Sequence, residues 1–284
     1  MPDIRKIRRR IKSVQTISKI TRAMEMIAAS KMRKAQERGL QGRPYAEKIE
    51  QVIANLAALP ETTQHHPLLE RRPIKKIGIV HITPDKGLCG GLNGNLNRRL
   101  GSFILEQKVP AEVIAIGRKG REFVTRAACN MCAEFPGLGD KPAFLDILPI
   151  SNIVIKEFTQ GSIDKVYISY ARFVSTMIQK PEMKQLLPVE PAKIPGGQNV
   201  DYIYEPDAAS VLGGLLPRFV EMEIYHAILE SIASEQSARM VAMRNATESA
   251  NDLIGELALL YNKARQESIT RDLLDITGGV SALE

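Results

Sequence analysis

The chain has 284 residues, 44% hydrophobic and 25% charged, an ordinary composition for a globular protein of one or two domains. It contains no apolar run of eighteen residues and no signal-peptide pattern, and its three cysteines, Cys89, Cys129 and Cys132, are too few for a secreted disulfide framework, so the cytoplasm is the expected compartment. The net charge of +7 is uneven: residues 1–38 carry twelve Lys or Arg against three acids, a net +9, so the basicity belongs to one segment.

That segment is also the first predicted element. Apolar residues fall at Ile4, Ile7, Ile11, Val14 and then Ile17, Ile20, Met24, Ile27, each quartet stepping 3, 4, 3, which predicts a heptad seam with one three-residue stammer after Val14. Gly39, Gly42 and Pro44 predict a bend or break before the helix resumes from Tyr45 to Leu59. Residues 60–73 read as a polar linker, and His65-His66 within it as surface.

The middle of the chain changes period. Lys76–Ile82, Glu112–Ile116, Cys129–Phe135 and Lys165–Val174 read as strands, with helices starting near Leu92, Arg118 and Phe144 and a further extended stretch near Leu186–Ile194. Strands alternating with helices predict a small, doubly wound, mostly parallel sheet. The loop Thr83–Gly94 sits where such a sheet binds phosphate, but no glycine set in it has the dinucleotide spacing, and the chain contains no G-x-x-x-x-G-K-[ST]. A tight turn is the expected reading. Cys129 and Cys132, three apart on a strand, would face opposite ways, which predicts two half-buried thiols and no shared metal.

At the C-terminal end Leu229, Ile232, Gln236, Arg239, Met243, Ala246, Ala250, Leu253, Leu257, Leu260 and Ala264 follow an unbroken 3, 4 alternation within one long helix running from about Pro217 to Gly278. A helix of that length needs another long helix or partner subunits to cover it. Residues 219–262 hold seven acids against Arg239 and Arg244, so they fit beside the basic N-terminal segment, with Glu248, Asp252 and Glu256 as candidate acidic partners. The expected fold is therefore α/β plus a long antiparallel coiled coil: a coiled-coil helix over 1–59, a linker over 60–73, a Rossmann-like α/β domain over 74–206 and a second coiled-coil helix over 207–284. No Ser/His/Asp or H-E-x-x-H arrangement can be assembled from four histidines placed as these are.

Three stretches closely resemble one family: Ile4–Gln36 (IRKIRRRIKSVQTISKITRAMEMIAASKMRKAQ), Ile82–Asn93 (ITPDKGLCGGLN) and Ala227–Gly279, which includes ARQESIT. They resemble the gamma subunit of F-type ATP synthases, the central rotor shaft. The resemblance implies a noncatalytic subunit without cofactor or metal, whose paired helices stand inside a hexamer of alpha and beta subunits and whose α/β body touches epsilon and the c-subunit ring at the cytoplasmic face of a bacterial membrane. It implies that Met24, Arg239, Arg265, Gln266 and Thr270 contact the beta subunits. Small and flexible residues, among them Ala28, Ala29, Ser30, Met240, Ala242 and Met243, are expected to give the shaft a low surface. The competing readings are an α/β nucleotide enzyme with a coiled-coil arm and a basic coiled-coil nucleic-acid binder; the latter lacks any aromatic residue before Tyr45 on which bases could stack.

Overall fold

The computed structural model describes residues 4–57, 66–190, 204–205 and 207–281. In chain order the elements are α1 (Ile4–Ala57), a 3-10 turn (Pro67–Leu69), β1 (Ile77–Ile82), α2 (Leu92–Glu106), β2 (Ala111–Ile116), α3 (Arg118–Arg126), β3 (Asn130–Phe135), a second 3-10 turn (Phe144–Asp146), α4 (Leu148–Thr159), β4 (Lys165–Phe173), β5 (Gln179–Leu187) and α5 (Ala208–Ser281). Backbone proximity divides the chain into two compact units, one formed by Met1–Ala28 with Met240–Glu284 and the other by Ala29–Arg239. No described helix is long and apolar enough to cross a membrane.

In the first unit the two terminal helices pair antiparallel. Ser18 Oγ donates to Asn251 Oδ1 at 2.9 Å, Thr21 and Thr247 hydroxyls meet at 2.7 Å, and Arg244 Nε donates to Glu25 Oε1 at 3.1 Å, so partners descend on one helix as they ascend on the other. Below these polar layers Val14, Ala250 and Leu257 form a small core with Ile11, Leu253 and Ile254 against it. Each fully buried Val, Leu or Ile there contributes roughly 1.5–3 kcal/mol.

The N-terminal seam differs from the expected one. Ile7, Val14, Thr21 and Ala28 are buried at intervals of seven, so the heptad runs on without a stammer. Ile17, Ile20 and Ile27, expected in the seam, are 49%, 53% and 55% exposed, and the row they form lies about a quarter turn round the helix. Polar residues took the seam because the opposite helix supplies Thr247 and Asn251 as matching hydrogen-bond partners. The facing seam follows Met243, Thr247, Ala250, Ile254 and Leu257, while Leu260, expected within it, is 43% exposed. Met243 and Ala28 are buried, so they pack the seam and do not form a low outer surface. Glu248, Asp252 and Glu256 are exposed. The ion pair between the helices runs opposite to the expectation, with the acid Glu25 on the N-terminal helix and the base Arg244 on the C-terminal one.

The second unit holds a five-stranded sheet in the order β3-β2-β1-β4-β5. The first four strands are parallel and β5 is antiparallel to β4. β1 is buried along its whole length, as a central strand covered on both faces must be. On one face Ile77, Ile79 and Val113 pack with Leu100 and Phe103 of α2 and Val124 of α3. The other face is covered by α4, by α5 through Leu212, Leu216, Val220 and Ile224, and by α1 through Ile49, Ile53 and Leu56.

Several boundaries differ from those read in the sequence. α1 runs helical through Gly39, Gly42 and Pro44. Gly42 serves close packing: a Cβ there would stand 2.9 Å from His226 Cε1 on α5, so the glycine admits the neighbouring helix and does not end its own. α5 begins at Ala208, nine residues before Pro217, because Asp207 caps it by accepting from Ser210 N at 2.8 Å and Ser210 Oγ at 2.7 Å. The last strand is Gln179–Leu187, earlier than the expected 186–194, whose final residues lie outside the described set, as do His65 and 60–65 of the linker. Leu68 in that linker is buried, and its carbonyl accepts from Val189 N at 2.9 Å. Cys129 is half-buried, but Cys132 is exposed, since the register shift opposite Val113/Ile114 leaves it as the extra residue of a bulge.

His81 on β1 is fully buried, with Nδ1 at 3.0 Å from Ser169 Oγ and Nε2 at 3.1 Å from Asn97 Oδ1. Burial pushes its pKa down to about 4, with the Asn97 hydrogen bond acting weakly in the other direction. Folding is therefore favoured by the neutral ring: below about pH 6.5 the unfolded chain takes up a proton that the folded chain refuses until about pH 4. Stability should fall across that window by about 1.4 kcal/mol per pH unit at most, roughly 3 kcal/mol in all. Urea unfolding of the protein and of His81→Gln between pH 7 and 4 measures this, and the variant should lose that part of the slope.

Candidate functional site

The carboxyl end of a parallel sheet is where such folds bind anionic ligands, and here the loop after β1 occupies that place. Its first residue, Thr83, is locked to β2: its N–H donates to Ile116 O at 2.9 Å, its hydroxyl donates to the same carbonyl at 3.1 Å and accepts from Gly120 N at 2.7 Å. Gly117 has φ +89, and a Cβ on it would stand 1.9 Å from Thr83 O, so only glycine fits between strand and helix.

Asp85 settles what the α3 N-terminus can bind. Its Oδ1 accepts from Arg118 N, the first N–H of α3, at 3.0 Å, and its two oxygens accept from Gly137 N at 3.2 and 3.1 Å. The chain's own carboxylate thus fills the anion position at that helix end. The cleft beside it, lined by Asp85, Gly117, Gly139 and Glu235 among others, encloses only about 40 Å³, against the several hundred a nucleotide needs. Among the described residues no group of three His, Cys, Asp or Glu is placed to hold a metal ion.

A cluster of charges on α5 faces the same loops. Arg239 Nη2 donates to Glu235 Oε1 at 2.6 Å and to Gly87 O at 3.2 Å. Burial pushes the Glu235 carboxyl up, Arg239 holds it down, and nearby Asp140 and Asp85 add to the rise. Asp140, in the loop after β3, accepts from Lys31 Nζ on α1 at 2.6 Å and from Gln236 Nε2 on α5 at 3.0 Å. The Gln236 side chain, which interrupts the apolar pattern in the sequence, is buried for this bond.

The five residues singled out in the sequence are placed as follows. Arg239 belongs to the second unit, and its guanidinium is mostly shielded by the two bonds just given. Met24 lies in the first unit, half-buried beside Glu25. Arg265, Gln266 and Thr270 are exposed on α5, where the Thr270 hydroxyl donates to Gln266 O at 3.0 Å. Around them Leu259, Ile269, Leu273, Leu274 and Ile276 are all more than half exposed. The sequence reading missed three features: the exposed apolar residues of this tip, the Ile17-Ile20-Ile27 row, and the roles of Asp85 and Asp140. The two acids were detectable in principle, since each sits among loop glycines just after a strand.

The profile of a family described as ATP synthase matches residues 3–283. A protein of Dehalococcoides mccartyi (strain CBDB1) named ATP synthase gamma chain is 66% identical over 284 residues, covering all of both chains. The ATP synthase gamma chain of Roseiflexus castenholzii is 49% identical over 287 residues, covering 100% of this chain and 99% of that one. Among solved structures, a chain in the central stalk and c-ring of the Tetrahymena thermophila mitochondrial ATP synthase aligns with a TM-score of 0.64 and 25% identity over 80% of this chain and 99% of its own. A chain from the Euglena gracilis mitochondrial ATP synthase (OSCP/F1/c-ring, rotational state 3) shares the fold at 18% identity, with a TM-score of 0.67 over 99% of this chain and 94% of its own.

Removing the carboxylate that bridges α3 and the Gly137 loop should leave two N–H groups without their acceptor. Asp85→Ala is expected to lower stability by about 1–2 kcal/mol and Asp85→Asn by less. The shift of the urea midpoint, at unchanged m-value, is the measurement.

Proposed function

The chain belongs to the ATP synthase gamma-chain family, and we propose on that premise that it works as the noncatalytic rotor of the complex, coupling ion-driven rotation to conformational change at catalytic sites on other subunits. The observation that carries this reading is the first unit. Two helices from opposite ends of the chain zip together through an unbroken heptad, while a second apolar row, Ile17, Ile20 and Ile27, stays uncovered. A paired rod resists bending better than a single helix, and an apolar row outside its own seam requires a partner surface.

In this reading the first unit, Met1–Ala28 with Met240–Glu284, supplies the coiled coil and the second, Ala29–Arg239, the α/β body, which takes in the remaining parts of both long helices. The coiled coil stands within the hexamer of alpha and beta subunits, and the body meets epsilon and the c-subunit ring at the cytoplasmic face of the bacterial membrane. Met24, Arg239, Arg265, Gln266 and Thr270 contact the beta subunits. The exposed Arg265, Gln266 and Thr270 are free to meet a partner directly, whereas Arg239 acts from within its pair with Glu235. Against the nucleotide-enzyme alternative, Asp85 closes the N-terminus of α3 to a phosphate.

Reconstitution tests the assignment. Purified alpha and beta subunits should gain cooperative ATPase activity only when this chain is added, and cooperative activity without it would refute a rotor role. Arg265→Ala with Gln266→Ala, both on exposed positions, should change unfolding free energy by no more than about 0.5 kcal/mol. The same double variant should lower the activity of the assembled complex. Unimpaired activity would remove these two residues from the contact.

A further inference from the structure

Gly39 and Gly42 both lie inside α1, but only one of them serves close packing. A Cβ at Gly42 would press on His226, whereas one at Gly39 would meet nothing within 4 Å. Glycine inside a helix is disfavoured against every residue except proline, and at Gly39 no neighbour demands it. It opens a cavity of about 500 Å³ between α1, α5 and the end of β4, all within the second unit. The apolar wall of this cavity is Ala35, Leu40, Phe173, Leu229 and Ala233, and its one carboxylate is Glu230. Glu230 Oε1 accepts from Phe173 N at 3.1 Å, while among the described residues Oε2 accepts no hydrogen bond and no cation pairs with the group. Arg172 and Lys184, close enough to act on it, are already held by Glu182 at 3.4 Å and Glu223 at 2.6 Å. Burial pushes the Glu230 carboxyl up, and a positive charge beside it would act the other way.

We propose that this cavity is a binding site for a small amphipathic amine, whose apolar body lies against Phe173 and Leu229 and whose ammonium group donates to Glu230 Oε2. The volume falls in the range of small-molecule sites, roughly 300–1,000 Å³. The walls span Ala35–Leu40 on α1 and His226–Ala233 on α5, about 8 Å and 11 Å at about 1.5 Å per residue. That is too short to seat a helix of several turns, but it accommodates an aromatic ring with a short chain. Charge selects among ligands of that size: Glu230 repels a carboxylate, and a neutral alcohol brings no charge to meet it. The inference does not depend on the rotor reading.

Tryptamine, tryptophol and indoleacetate share an indole body and differ in the charge at the end of the chain. Each is titrated into the full chain at neutral pH by calorimetry. Tryptamine should bind about 10- to 100-fold tighter than tryptophol, the range expected for a hydrogen bond to a charged group, and indoleacetate should not bind. Glu230→Gln, which keeps an acceptor for Phe173 N, should bring tryptamine down to the affinity of tryptophol. Gly39→Leu places a side chain in open space and improves helix propensity, so it should abolish binding of both while the circular dichroism stays that of a folded chain. Equal affinity for tryptamine and tryptophol, or tryptamine binding that survives either substitution unchanged, would overturn the proposal. So would tryptamine binding to the free chain that is lost in the assembled complex, because the cavity would then seat a side chain of a neighbouring subunit.

Discussion

A helix of 74 residues cannot be covered in the same way along its whole length, and the change of cover along α5 organises the rest of the structure. From Ile224 to Ser237 burial wraps most of the way round it, as sheet, α4 and α1 close in. From Met243 to Ala264 burial narrows to one seam, the mark of a single partner helix. Beyond Arg265 the described side chains are almost all exposed. Each regime has its own composition: all-round apolar with small serines, then a heptad, then apolar residues mixed with charge and left exposed among the described residues.

Polar groups decide geometry in both units, and apolar groups supply cohesion. In the first unit the contacts Ser18–Asn251, Thr21–Thr247 and Glu25–Arg244 fix which residue stands opposite which, while the Val14, Ala250 and Leu257 layer would tolerate a slip. Thr21 also has Ser18 O within reach, and Thr247 has Met243 O. Each hydroxyl carries one proton, so one threonine donates across the seam and the other to its own helix. A slipped pairing would remove the bond across the seam, at about 0.5–1.5 kcal/mol, and leave each hydroxyl only its own helix's carbonyl. In the second unit Thr83, Asp85 and Asp140 do the corresponding work for loops that carry few apolar groups.

The sheet and the existence of two long terminal helices were legible because strand period and heptad period are local signals that burial reinforces. Strands β1 to β4 and the starts of α2 and α3 lie within a residue or two of where the pattern puts them. The N-terminal seam departs from the apolar pattern because an apolar row need not be the buried one. Ile17, Ile20 and Ile27 are as hydrophobic as Ile7 and Val14, and sequence alone does not distinguish a residue buried in its own chain from one that waits for another. Glycine misled in a related way: Gly42 reads as a helix breaker until His226 is seen against it. The loop acids carried no periodic signal at all, since their roles depend on N–H groups 33 and 52 residues away in sequence for Asp85, and on side chains 109 and 96 away for Asp140.

The misread rows also explain why this chain combines so many exposed apolar residues with a high positive charge. A lone protein that displayed Ile17, Ile20, Ile27, Leu259, Leu273 and Leu274 to water would risk nonspecific association. The net +9 of residues 1–38, which flanks the first of these rows, limits that through mutual repulsion until an acidic or apolar partner surface arrives. The same repulsion weakens the isolated N-terminal helix, since Lys and Arg in its first turns oppose the helix dipole by about 0.3–1 kcal/mol per charge. No neutralising row of acids appears on α5, where Glu248, Asp252 and Glu256 are exposed and Arg244 adds a further positive charge beside Glu25.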